Sequence, residues 1–206
     1  MNIAVLVSGS GTNLQALIDA ENRNELSGKI ACVISSKPGV YSLERAKIAG
    51  IDSAVLPSRS SGENVEARLL EILGQYDIGL VVLAGFLSIL GEKVISKYRN
   101  RIINVHPSLI PSFCGKGFYG LKVHEAALTY GVKVSGATVH FVNEIPDGGA
   151  IILQQAVEIQ QDDTAESLQR RIMEQAEWKI LPKAVRLFCE GKLEVVDNKT
   201  IIKGEN

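Results

Sequence analysis

Residues Ile78-Gly79-Leu80-Val81-Val82-Leu83-Ala84 run apolar without alternation, and this constrains the fold more than any other feature of the chain. A strand that is apolar at successive positions must be covered on both faces, as in the parallel sheets of α/β folds. Ile3–Val7 and Ile30–Ile34 are runs of the same kind, and Ile51–Leu56 and Ile102–His106 complete five expected strands, the last ended by Pro107. Helical spacing separates them, at Leu14, Leu17 and Ile18, at Leu43–Ala49 and at Val65–Leu73. This alternation predicts a Rossmann-like, mostly parallel α/β sheet with helices on both faces.

After about residue 130 the pattern changes. Val132–Val142 and Ile151–Ile159 are longer, more mixed runs around a turn-rich stretch, which predicts an antiparallel extension in the C-terminal part. A long helix is expected from Asp163, where Asp163-Thr164-Ala165-Glu166 resembles a capping box. Its apolar stripe is Leu168, Ile172, Ala176 and Ile180, with Pro182 expected to kink it or start a second segment. Gly191 is the expected stop, and Leu193–Ile202 a closing hairpin around Asp197-Asn198. Without repeats or an interdomain linker, one domain over residues 1–206 is expected.

Composition narrows the partners. Hydrophobic residues at 46% and charged residues at 22% describe an ordinary globular chain, not a disordered one. A net charge of −1 gives no general attraction to nucleic acid or to an anionic membrane, so any anion site must be local. Cys32, Cys114 and Cys189 are odd in number and far apart, which suits a reducing compartment better than a disulfide framework. The N-terminal apolar run ends at Ser8-Gly9, too short for a signal segment or a span. A cytoplasmic protein is expected.

Two local features suggest chemistry. Ser8-Gly9-Ser10-Gly11-Thr12-Asn13 lies between the first strand and first helix, where glycines admit close approach and unpaired N–H groups face an anion. It lacks the third glycine of a dinucleotide loop and the lysine of a Walker loop, so a single phosphate is favoured. A tight turn without ligand is the alternative. The second feature is polar: Asn104 and His106, two apart in a strand, share a face at its carboxyl end, and Asp147 lies in a later turn. These types suit acid–base work and oxyanion stabilisation, and an attacking amine would need no protein nucleophile. A structural histidine and a plain turn aspartate are the alternatives.

Taken together, Ser8–Gln15, Leu83–Phe86, Asn104-Val105-His106-Pro107-Ser108-Leu109-Ile110-Pro111, Gly136–Val142 and Asp147-Gly148-Gly149 occur in the order seen in one family. Over essentially its whole length the chain resembles the phosphoribosylglycinamide formyltransferases. The resemblance implies transfer of a formyl group from 10-formyltetrahydrofolate to the amine of glycinamide ribonucleotide in purine biosynthesis, with no metal. It implies a phosphate-binding half, 1–107, and a folate-loop and C-terminal-helix half, 108–206. It casts His106 as the acid, Asn104 as the group polarising the formyl oxygen and Asp147 as a proton relay that raises the histidine pKa. Gly11, Thr12 and Asn13 correspond to the phosphate site, and Glu174, Gln175, Ala176 and Glu177 to the ribose and glycinamide segment. Leu87, Ser88, Ile89 and Leu90 correspond to the pterin pocket, and Asn143, Glu144, Ile145 and Pro146, with Asp147, to the loop over the folate. His140 is support for the site rather than chemistry.

Departures from the family pattern also stand out. Ser88 and Gly62 fall where some members carry arginines for the folate tail, with Arg59 as a possible substitute, and Trp178 stands where a histidine is common. Phe113–Gly120 reads as a mobile flap beside His106, with Lys116 or Lys122 able to attract anions. The rival acceptors are water, an aminoacyl-tRNA or an amino sugar. A start at the first strand disfavours the hydrolase, and the lack of a large C-terminal domain and basic surface disfavours the tRNA enzyme. The monophosphate loop disfavours the amino sugar. A non-catalytic nucleotide-phosphate-binding module is disfavoured by the complete Asn/His/Asp set. Partners are thus small molecules, and the oligomeric state, monomer or homodimer, is open.

Overall fold

A computed structural model describes residues 1–58 and 62–204. Arg59, the suggested folate-tail substitute, lies outside the described residues. The chain forms two compact units, Met1–Ile103 and Asn104–Asn206.

The first unit alternates strands and helices: β1 (Asn2–Val7), α1 (Thr12–Asn22), β2 (Lys29–Ser35), α2 (Tyr41–Ile48), β3 (Asp52–Val55), α3 (Val65–Gln75), β4 (Ile78–Leu83) and α4 (Glu92–Lys97). β1 pairs in parallel with β2 and β4, and β2 with β3. Ile3–Val7 are fully buried, as an all-apolar central strand requires. β3 is the edge strand and is mostly exposed, so the expected strand Ile51–Leu56 shortens to four residues. The Asn64 side chain caps α3 by accepting from the Ala67 N–H at 3.0 Å.

β5 (Ile102–His106) follows, then α5 (Leu121–Tyr130), β6 (Val134–Phe141), β7 (Ile151–Glu158), α6 (Ala165–Ile172), a π turn (Met173–Glu177), α7 (Trp178–Cys189), β8 (Leu193–Val196) and β9 (Lys199–Ile202). The seven-stranded sheet has the order β3-β2-β1-β4-β5-β6-β7, and β8-β9 form a separate pair. The expected antiparallel extension is β6–β7, and the expected hairpin is β8–β9. Asp197 and Asn198 turn that hairpin with φ of 50° and 57°, a conformation these two types tolerate.

Several expectations need correction. α4 and α5 were not anticipated: α4 has six residues, and α5 starts at a glycine and buries a histidine, His124, so neither displays a clear cap and stripe. The cap of α6 is Thr164, not Asp163: its side chain accepts from the Ser167 N–H, and Ser167 Oγ accepts from the Thr164 N–H. The long helix is interrupted at the π turn, where the Trp178 N–H reaches back to Met173 O, while Pro182 sits within α7. The stripe itself explains the interruption. Strict four-residue spacing drifts by about 40° per step on an α-helix, and a wide turn absorbs that drift and keeps Leu168, Ile172, Ala176 and Ile180 all buried.

Candidate active site

β5 delivers Asn104 and His106 to one face, and β6 delivers His140. A register shift between Val139 and His140 places His140 opposite Ile151, with the extra residue, Ile152, on β7, so β6 keeps its alternation through His140. The third contribution is the loop after β6. Gly148 N–H donates to Ile145 O at 2.9 Å, with Pro146 second and Asp147 third in the turn at φ 55°. That is the type II pattern, in which proline presets one position and a residue tolerant of left-handed φ fills the next. Asn143 braces the loop, accepting from Ile145 N–H at 3.0 Å and donating to Gly148 O at 3.2 Å. Gly149 is obligatory, because a Cβ there would collide with Phe141 O.

These elements bring Asn104, His106, His140 and Asp147 together. His106 Nε2 lies 2.9 Å from Phe113 O, and a carbonyl only accepts, so Nε2 carries a proton. Its Nδ1 faces Asp147 Oδ2 at 3.6 Å, an electrostatic contact beyond hydrogen-bond distance. The same reasoning puts a proton on His140 Nδ1, 2.7 Å from Phe141 O. His140 Nε2 then accepts from Asn104 Nδ2 at 3.1 Å and stands 3.6 Å from Asp147 Oδ1. Gly115 N–H donates to Asp147 Oδ2 at 2.8 Å. Asn104 thus keeps one amide hydrogen beyond its bond to His140.

Burial pushes the His106 imidazole below its usual pKa, against the Asp147 carboxylate and the Phe113 carbonyl, while His140 adds to the lowering. For Asp147, burial pushes upward but is outweighed by His140, His106 and the Gly115 N–H, so the carboxyl is held below its usual value. The site therefore holds a carboxylate facing a histidine whose protonation is finely opposed. His124, fully buried on α5, is pushed down to about 4 by burial and by His106, and so stays neutral.

The other expected residues lie as follows. Glu174 and Gln175 are exposed on the π turn, while Ala176 and Glu177 are buried. At 6% exposure Glu177 is not a solvated helix charge. Glu144, Ile145 and Pro146 are exposed. In the first unit, Leu87 and Ile89 are 57% and 79% exposed, so they are not core residues, whereas Leu90 is buried. Ser88, Ile89 and Leu90 line a cavity of about 620 Å³ with Phe86 and Lys37. Gly11 caps α1 with φ 75°, and a Cβ there would meet Ser42 Cβ at 2.6 Å. Thr12 and Asn13 open the helix, and no acidic residue occupies its first turn. Lys122 donates to Tyr119 Oη at 3.0 Å, and Lys116 is exposed.

Sequence reasoning missed the anchors of the site. Phe113 O and Gly115 N–H are backbone groups that any residue type could supply, so no residue identity announced them. Thr138 is buried on β6, donates to Ser108 O at 2.7 Å and accepts from Ile110 N–H at 3.1 Å, fixing the segment after His106. Its place two residues before His140 on one strand face was the available signal. Among the described residues no group of three or more His, Cys, Asp or Glu stands ready to hold a metal ion. No described helix is long and apolar enough to cross a membrane.

The formyl transferase family model matches residues 1–185. The chain belongs to the formyl transferase family. Within that family, the phosphoribosylglycinamide formyltransferase of Haemophilus influenzae is 42% identical over 98% of this chain and 94% of its own length. The crystal structure of glycinamide ribonucleotide transformylase 1 from Symbiobacterium toebii superposes with a TM-score of 0.89 at 43% identity, covering 98% of this chain and 93% of that one. A formyltetrahydrofolate deformylase from Pseudomonas syringae superposes at 0.88 with 30% identity, covering 98% of this chain but 65% of that one. The formyl transferase fold is thus shared by proteins named for different acceptors, and the acceptor must be argued from the site.

Proposed function

We propose that this formyl transferase moves a formyl group from 10-formyltetrahydrofolate to the amine of N1-(5-phospho-D-ribosyl)glycinamide, a step of purine biosynthesis, and does so in the cytoplasm. The observation that carries the proposal is the cluster of Asn104, His106 and Asp147 with His140 behind it. The glycine loop at α1 selects a phosphorylated acceptor, and the three free cysteines suit a reducing compartment. Likeness along nearly the full length to chains named for this substrate favours it over the hydrolytic reading.

The substrate amine attacks the formyl carbon, and a tetrahedral intermediate forms. The remaining Asn104 amide hydrogen and a protonated His106 Nδ1 receive the developing oxyanion. Phe113 O holds Nε2, so the ring cannot rotate away and Nδ1 is the working nitrogen. Asp147 favours the imidazolium and accepts the proton released by the amine; the folate nitrogen leaves with the Nδ1 proton of His106, and the proton held by Asp147 then returns to the ring. No covalent enzyme intermediate is needed. Gly11, Thr12 and Asn13 hold the phosphate, and Glu174–Glu177 supply the ribose and glycinamide contacts. The 87–90 backbone and the 143–147 loop hold the folate.

The purified protein mixed with the formyl folate, with and without the ribonucleotide, tests this. Loss of the donor only when the ribonucleotide is present is expected. Equal loss in its absence would make the protein a hydrolase, and no loss in either case a binding module.

A further inference from the structure

We infer that Arg45 is a positioning residue for the acceptor's phosphate, a clamp that aims the N–H groups of the glycine loop. The inference rests on the reading of that loop as the phosphate site. Arg45 lies on α2, not on the loop or on the helix it opens. Its Nε–H donates to Ser10 O at 2.9 Å and its Nη1 to Gln15 Oε1 at 2.8 Å, while the guanidinium lies 4.8 Å from the centre of the Tyr41 ring. One planar fork therefore grips the last peptide of the loop and the first turn of α1 together.

The geometry dictates the consequence. In a planar trans peptide the C=O and the following N–H point in opposite directions. Pinning Ser10 O toward Arg45 turns the Gly11 N–H to the opposite side of that peptide, away from the guanidinium. The same helix adds two further contacts to the loop: Ser42 N–H donates to Gly9 O at 3.3 Å, and Ser42 sits against Gly11 so closely that only glycine fits. Gln15 N–H donates to Gly11 O at 2.9 Å, closing the first turn of α1. Arg45 also places a positive charge beside a helix start that has no acidic residue in its first turn, so orientation and field act in the same sense.

A residue that only supported the fold would affect stability and turnover together. A positioning residue for the phosphate affects acceptor binding alone. Arg45→Lys and Arg45→Met are compared with the intact protein by steady-state kinetics, with inorganic phosphate as a competitive inhibitor and melting temperature as a folding control. The expected result is a rise of roughly tenfold in the KM of the phosphorylated acceptor and in the inhibition constant of phosphate. Turnover at saturation and the KM of the formyl folate stay unchanged, and Lys is less affected than Met. Unchanged acceptor KM, or a fall in saturated turnover, overturns the inference. If the intact protein treats a dephosphorylated acceptor as well as the phosphorylated one, the reading of the loop fails, and the inference with it.

Discussion

At the residue scale, His106 is held between two opposing influences. Burial disfavours its charge and His140 adds to that, whereas Asp147 and the Phe113 carbonyl favour it. Asp147→Asn removes the attraction and leaves the burial, so the imidazolium fraction falls at every pH. If the charged ring assists the transfer, the high-pH limb of the rate profile moves to lower pH. Turnover should drop by about 10²–10⁴-fold. An unmoved limb would remove Asp147 from the proton balance. Gly149→Ala tests the loop through a different contact. Its methyl would strike Phe141 O, the same carbonyl that fixes the His140 ring. Destabilisation of about 1–3 kcal/mol is expected in urea titrations, with lost activity.

At the element scale, the start of α6 is fastened by Asp163. It accepts from Ser167 Oγ and from the Gln160 N–H, both at 2.7 Å, and pairs bidentately with Arg171 at 2.5 Å. Arg171 holds the Asp163 carboxyl well below the usual carboxylate range. A depressed folded-state pKa adds stability above the unfolded carboxylate value and loses it as pH falls. Arg171→Ala should therefore cost about 1–2 kcal/mol at neutral pH. The difference should shrink once the pH drops below about 4, which denaturant titrations at two pH values would show. A cost that is the same at both would contradict the assignment.

The same elements show what the sequence could reveal. β1, β2 and β4 were legible because they are apolar runs between turn residues, β5 because its β-branched run stops at Pro107, and β8–β9 because Asp197-Asn198 marks its turn. α5 was not, since its buried face includes His124 and its cap is glycine. The π turn was legible in principle from the four-residue stripe, but a proline nine residues beyond its start drew the break away from Met173. Within the site, Asn104, His106 and Asp147 could be named from spacing and turn chemistry. Phe113 O, Gly115 N–H and Arg45 could not: two are backbone groups, and the third reaches the loop from a separate helix.

At the scale of the whole molecule, each unit carries one of the proposed tasks: anion binding in the first, formyl chemistry in the second. Ligand linkage follows. An acceptor that binds only the folded chain raises stability by about 2.7 kcal/mol at a hundredfold excess over its Kd. A thermal shift should therefore appear with the phosphorylated acceptor and weaken in Thr12 or Asn13 variants; equal shifts in those variants would detach the loop from the substrate. The most direct test of the central claim separates binding from turnover in His106→Ala. Calorimetric titration should give near-native affinity for both substrates, while formyl transfer under saturating conditions falls by several orders of magnitude. Near-native transfer by that variant would contradict the claim that this imidazole carries the chemistry.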